Sequence, residues 1–260
     1  MKTAGDRGAR GGDKSRWVKE IEEALLEGRA DLAVHSAKDV PGRLPEGLAI
    51  VGVPERADAR DAVCGAAGVA GIPEGAVVGT SSLRRRSQLL AVRPDLVIED
   101  MRGNVDTRLR KLHEREYDAI VLARAGLERL GVDDGDPVDA ATLTPAAGQG
   151  CLALEARAGD DEIAALAERV TDRRALVELT AERAAVTSLD ATCQTPVGAH
   201  ARLDGDRLTM EAYVGLPDGS SWIRDRLDAD AADPSALGRE VAGRLLAAGA
   251  GEVLARAEAP

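Results

Sequence analysis

Val77-Val78-Gly79-Thr80-Ser81-Ser82-Leu83-Arg84-Arg85-Arg86 is the stretch that decides the fold. Val77-Val78 reads as the end of a strand, and Gly79 to Ser82 as a tight turn. A helix is expected over 83–91. Outward on the C-terminal side the same alternation repeats. Leu96-Val97-Ile98 reads as a strand, 104–113 as a helix, Tyr117 to Ala123 as a strand and 125–130 as a short helix. On the N-terminal side, Trp17, Ile21 and Leu25 recur at helical spacing over 15–28, and Gly28 is a plausible stop. Asp31 to His35 and Leu48 to Pro54 read as strands. Strands alternating with helices imply an α/β fold with a mainly parallel sheet.

The pattern changes further on. Thr144 to Gly150 is a loop by composition, 151–155 is strand-like, 161–174 is helical, and 175–187 forms a further helix. Segments 200–203, 207–214 and 221–227 read as antiparallel strands, with Asp204-Gly205 and Asp218-Gly219 as hairpin turns. Helices over 234–248 and on to 257 follow. The organisation expected is a first domain from 1–56 and 151–172, a second from 57–150, and a small α+β C-terminal domain from 173–260.

Composition bounds the function. The net charge of -11 gives no global positive field for nucleic acid. Aromatic residues are 2%, which excludes stacking platforms for bases. No apolar run is long enough for a membrane helix, and Met1 to Arg16 has no signal-peptide core, so a cytoplasmic location is expected. The three cysteines are too few and scattered for a disulfide framework or a zinc site, and no metal is expected. Cys64 and Cys151 sit in apolar surroundings and read as small buried hydrophobes. Cys193 lies in the polar Asp190-Ala-Thr-Cys-Gln-Thr-Pro-Val-Gly198. An accessible thiol there can act as a nucleophile, but on the residues alone a chance loop cysteine is the favoured reading.

Other segments carry chemistry-capable side chains. His35-Ser36-Ala37-Lys38-Asp39-Val40-Pro41 lies where a strand meets its loop, the place where open α/β sheets bind ligands. Asp39 beside Lys38 can move protons or stabilise a cation; a solvated charge pair is the plainer alternative. Thr80, Ser81 and Ser82 offer donors at a helix start, and Arg84 and Arg85 offer planar forks for an anion. Three successive arginines cannot share one helix face, so at least one is structural or solvent-facing. Arg102-Gly103-Asn104 repeats the layout, with Asn104 as N-cap and Arg108 one turn on. Arg84, Arg85, Arg102 and Arg108 are expected at adjacent strand ends, a local anion site in an acidic chain.

Ala33 to Pro41, Val78 to Arg85, Arg102 to Arg108, Tyr117 to Ala123, Ala146 to Gly150 and Cys193 to Gly198, in this order and spacing, resemble the hydroxymethylbilane synthase (porphobilinogen deaminase) family. The resemblance runs from about residue 15 to the C-terminus. It implies two periplasmic-binding-protein-like (type II) α/β domains with a cleft between them, and a third domain bearing the cofactor. It further implies a dipyrromethane cofactor held by a thioether at Cys193, and head-to-tail condensation of four porphobilinogen molecules with loss of ammonia, each through an azafulvene. Asp39 matches the family's catalytic aspartate. Lys38, Ser36, Thr80, Ser82, Arg84, Arg85 and Arg108 take cofactor-binding roles; Arg102, Arg129 and Ser81 take substrate-binding roles. Gln149 falls in an interdomain crossover and reads as structural. The small molecule porphobilinogen is the expected partner, and the chain is expected to act as a monomer.

The resemblance has one departure. The family's first strand, helix and second strand have no counterpart, and Gly8 to Arg16 is shorter than the family's active-site loop, with Lys14 as a stand-in for a loop lysine. The chain then reads as a fragment, or as a shortened homologue. A non-catalytic anion-binding module of periplasmic-binding type and an inactive truncated enzyme are the alternative functions.

Overall fold

The computed structural model describes residues 14–192 and 195–258. In chain order the elements are α1 (Lys14–Leu26), β1 (Ala33–Ser36), β2 (Leu48–Gly52), β3 (Asp61–Cys64), β4 (Val77–Gly79), α2 (Leu83–Val92), β5 (Val97–Glu99), α3 (Val105–His113), β6 (Ala119–Ala123), α4 (Arg124–Arg129) and β7 (Asp136–Pro137). They continue with β8 (Leu152–Arg157), α5 (Asp161–Glu168), α6 (Arg173–Ser188), β9 (Val197–Asp204), β10 (Arg207–Gly215), β11 (Trp222–Asp230), α7 (Pro234–Ala247) and α8 (Ala250–Glu258).

These elements make a mixed α/β fold with a C-terminal α+β unit built on three sheets. The first has the order β1-β8-β2, the second β5-β4-β6-β3-β7 and the third β11-β10-β9. In the second, β4 runs parallel to β5 and β6, as the alternation predicts. The expectation of mainly parallel pairing fails elsewhere. β8 is antiparallel to both β1 and β2, and β3 is antiparallel to β6 and β7. Helical crossovers impose parallel pairing. β3 and β8 instead enter their sheets at the ends of two extended crossovers, residues 53–60 and 138–151, which join the first and second sheets.

The second sheet is buried on both faces. Val63, Val78, Leu89 and Val121 fill one side, while Ala62, Cys64, Ile120 and Leu122 fill the other. Such strands lose apolar/polar alternation. That is why Asp61-Ala-Val-Cys64, buried at every position, was not anticipated as a strand. β7, only Asp136–Pro137, was missed as well. The cysteine expectation holds: Cys64 and Cys151 are fully buried, and burial pushes both thiols up to about 12.

The two helices expected over 161–174 and 175–187 are present, but the break between them falls at 169–172. Asp160 caps α5 at the Ile163 amide, and Asp172 caps α6 at the Ala175 amide, 2.7 Å away. In the third unit, Asp204 pairs with Arg207, so the hairpin turn is Gly205-Asp206, with Gly205 at φ +58°. The 215–222 connection is a longer loop than the two-residue turn expected.

Helix α6 is shared between two cores. Ala175 and Leu179 pack with Val53, Cys151 and Ala153 of the first sheet and its crossovers. Ala181 and Ala185 pack with Ala199, Leu237 and Val241 of the C-terminal unit. α7 crosses α6 at Gly238, where an added methyl would press into the Ala181 carbonyl and the Ala184 side chain. Backbone there cannot yield cheaply. Gly238→Ala is therefore expected to cost about 1–3 kcal/mol, read as a lowered urea midpoint at unchanged m-value; an unchanged midpoint would show that the two helices are not in close contact.

Candidate functional site

β1 runs into a single 3-10 turn, Ala37–Asp39. The Ala37 amide donates to the Cys151 carbonyl at 3.0 Å, and Val40 closes the turn on Ala37. Gly148, at φ +72°, lies so close that a Cβ would fall 2.8 Å from the Ala37 Cβ. The second crossover thus fixes this turn from behind, and Ser36, Lys38 and Asp39 are left half-buried. His35, within the same segment, turns the other way. Its Nε2 lies 2.8 Å from Oε2 of the fully buried Glu155. Burial and the nearby Glu155 raise the pKa of Glu22, while His35 lowers it.

The β4–α2 junction has the expected donors, and the structure shows how each is held. The Thr80 amide donates to the Glu99 carbonyl, the Ser82 amide donates to Thr80 Oγ1, and the Ser82 side chain caps α2 by accepting from the Arg85 amide. Ser81 Oγ donates to the Met101 carbonyl at 2.9 Å. Gly79 is required here, since a Cβ would strike Met101 and Tyr117.

Arg84 and Arg85 are buried, and both meet Asp61 on β3. Arg84 Nη1 donates to Asp61 Oδ2 at 2.8 Å and to the Thr144 carbonyl at 2.7 Å. Its Nη2 donates to Asp61 Oδ1 at 3.2 Å and Gln149 Oε1 at 3.5 Å. Arg85 Nε and Nη2 both donate to Asp61 Oδ1, at 3.0 and 2.8 Å, and Nη1 donates to the Val121 carbonyl. Burial alone would raise the Asp61 carboxyl, but the two guanidiniums hold it well below the usual carboxylate range. One carboxylate against two arginines leaves a net positive charge. Arg86 is half-buried, and its Nε has no hydrogen-bond partner among the described residues.

Asn104 caps α3 as expected, accepting from the Thr107 amide at 2.9 Å. Arg108 Nε donates to the Gly103 carbonyl at 2.8 Å. Among the described residues, no ion pair neutralises the half-buried Arg108. Burial, and after it the positive charge of Arg85, push its pKa down. Arg102 is exposed, and Arg129 reaches the second crossover, donating to the Gly150 carbonyl. Cys193 lies outside the described residues.

Sequence reasoning missed a second buried cluster joined to the first. Arg56, on the first crossover, donates to the Gln149 carbonyl from Nε and Nη2. It also donates to Glu178 and Glu182 of α6, at 3.2 and 2.8 Å. Glu182 in turn accepts from the Gly148 and Ala201 amides. The Gln149 side chain points the opposite way, donating to Asp61 Oδ1 and the Ala59 carbonyl, both at 2.8 Å. The expectation that Gln149 is structural holds. The legible signal for Asp61 was a lone acid leading a short apolar run; that for Glu178 and Glu182 was their one-turn spacing.

Among the described residues no cluster could hold a metal ion, and no helix is long and apolar enough to cross a membrane.

Comparison with known proteins gives consistent matches. The family model "Porphobilinogen deaminase, dipyromethane cofactor binding domain" matches residues 1–165, and "Porphobilinogen deaminase, C-terminal domain" matches 176–247. The porphobilinogen deaminase of Roseiflexus castenholzii is 50% identical over 248 residues, 94% of this chain and 82% of that protein. That of Deinococcus radiodurans is 47% identical over 268 residues, 98% of this chain and 86% of that protein. Among solved structures, the periplasmic VFT2 domain of Bordetella pertussis BvgS is a distant likeness, with a TM-score of 0.34 at 19% identity over 58% of this chain and 65% of that one.

The buried acids set a pH dependence. Burial would raise Glu182, but Arg56 and His200 more than offset it, and its pKa falls from 4.5 to about 2. Folding therefore favours the ionised form. That stability is fully present above the unfolded carboxylate value of about 4.3 and is lost as pH falls toward the folded value. Urea titrations from about pH 5 down to pH 2.5 should show unfolding free energy declining, with a shallower decline in Glu182→Gln. A slope identical to wild type in that variant would remove Glu182 from the linkage.

Proposed function

The chain belongs to the porphobilinogen deaminase family, and from that membership we propose which of its residues do the work. Its activity is that of a hydroxymethylbilane synthase, a transferase of tetrapyrrole biosynthesis. Four porphobilinogen molecules are joined head to tail, each losing ammonia. The cofactor is a dipyrromethane.

The donor set fits such a group. Each pyrrole bears an acetate and a propionate, so the growing chain is a polyanion. The observation that carries the assignment is the cation-rich pocket at the α2 and α3 starts. Arg84 and Arg85 exceed the charge of Asp61, and Arg108, in the first turn of α3, has no ion-pair partner among the described residues. We assign Lys38, Ser36, Thr80, Ser82, Arg84, Arg85 and Arg108 to the cofactor's carboxylates and rings. Arg84 acts there through its charge, since its terminal nitrogens already donate to protein acceptors. Arg102, Arg129 and Ser81 are assigned to the incoming porphobilinogen.

Cys193 is assigned as the tether, through a thioether. When bound, the cofactor supplies the free α-carbon from which the pyrrole chain grows. Asp39 is assigned the catalytic role. Its carboxylate accepts pyrrole N–H hydrogen bonds, stabilises the cation left as ammonia departs, and takes up the proton released on bond formation. The half-buried turn held by Gly148 and Cys151 supports that role, because a fixed carboxylate needs no reorganisation at the moment of reaction. We further propose three domains bounded as 1–56 with 151–172, 57–150 and 173–260, a monomeric state and a cytoplasmic location.

Intact-mass measurement after incubation with porphobilinogen tests the tether. An added mass of a dipyrromethane is expected on the wild type and absent from Cys193→Ser; an adduct that persists in Cys193→Ser moves the tether elsewhere. Asp39→Ala should keep the wild-type circular dichroism and lose at least about 100-fold in turnover. Turnover within threefold of wild type would strip Asp39 of its role.

A further inference from the structure

Asp61 is not among the residues assigned above to carboxylates, yet two of those residues converge on it. It is completely buried on β3 and accepts from both guanidiniums and from Gln149. The two arginines use it differently. Arg84 is committed on every side, with Asp61, Thr144 and Gln149 taking its terminal N–H groups. Arg85 presents one edge to Asp61 through Nε and Nη2, and the Val121 carbonyl takes Nη1. Its plane is therefore fixed by β3 and β6 together, and its remaining N–H bonds lie on the edge away from Asp61. The pKa of Arg108, in the first turn of α3, is lowered by burial first and by the Arg85 charge second.

We infer that Asp61 is a positioning residue for the carboxylate-binding cluster: it bolts Arg84 to the second crossover, fixes the plane of Arg85, and leaves one net positive charge for a carboxylate of the cofactor. Two guanidiniums on successive residues repel each other. Without a shared anion neither would hold one rotamer, and a planar bidentate donor is useful only when its plane is fixed. Gln149 sharpens the device by donating to the same Oδ1 that Arg85 grips. The inference rests on the assignment of Arg85 and Arg108 to pyrrole carboxylates.

The sign of one effect separates positioning from simple charge. Asp61→Asn removes a negative charge from a cationic cluster, so field alone predicts tighter binding of an anion. Positioning predicts weaker binding. Binding of a free dipyrromethane bearing acetate and propionate side chains is measured by calorimetry on the full chain in a Cys193→Ser background, where the proposed tether is gone. Asp61→Asn is expected to weaken binding about tenfold, because misaimed donors lose more than the added charge supplies. Primer loading, read by intact mass in the Cys193 background, should fall in parallel. Unchanged or tighter binding by a folded Asp61→Asn overturns the inference. If Asp61→Asn does not fold, Gln149→Met decides: it removes one donor to Asp61 Oδ1, and binding about fivefold weaker is expected. Wild-type affinity in Gln149→Met then overturns it. Arg108→Gln tests the underlying assignment separately. Wild-type affinity in Arg108→Gln sinks the carboxylate assignment itself, whereas weaker binding there with no effect at Asp61 sinks positioning alone.

Discussion

Gln149 carries two buried charge clusters at once. Its main-chain carbonyl takes two donors from Arg56, and its side-chain amide donates to Asp61. Buried ions are tolerated only when paired and hydrogen-bonded, and stripping one partner leaves a charge whose isolation costs several kcal/mol. The two crossovers are therefore constrained as a set. Arg56 lies on the first, Gln149 on the second, Asp61 opens the second sheet, and Glu178 and Glu182 belong to the helix that packs on the C-terminal strands. Moving any one segment would uncover a charge on another.

That constraint also builds the site. The turn bearing Lys38 and Asp39 rests on Gly148 and Cys151, next to Gln149 in the chain. The start of α2 is held from the same place, because Thr144 accepts from both Arg84 and Gln88. The turn after β1 and the start of α2, one on each α/β sheet, share one support. The chain as a whole is acidic, at -11, so the excess of arginine over carboxylate around Asp61 runs against the overall charge.

Much of this was legible in the sequence. Gly79 to Arg85 reads correctly as strand, capped turn and helix because its signals are local: a glycine and small polar residues at the turn, and a serine that caps the helix at the Arg85 amide. Asn104 is legible for the same reason. What was not legible depends on partners far along the chain. The antiparallel entry of β3 and β8 follows from crossovers that no local periodicity records. The arginines were read as forks aimed at a ligand, and nothing in Leu83 to Arg86 reveals that a carboxylate on β3 already grips two of them. The charge cluster around Arg56 and Glu182 was missed because Arg56 lies 122 and 126 residues from its two carboxylates. The roles of Cys193 and Asp39 came from family resemblance rather than from local chemistry.

The central claim is that one buried chain of charges, Asp61–Gln149–Arg56–Glu182, locks the crossovers to the C-terminal unit. Hydrogen–deuterium exchange of Arg56→Met against wild type tests it most directly. Faster exchange is expected together in 144–150, in α6 and in β9, because the first two lose Arg56 directly and β9 amides donate to the Glu178 and Glu182 that it holds. Faster exchange confined to residues 53–60 would contradict the account.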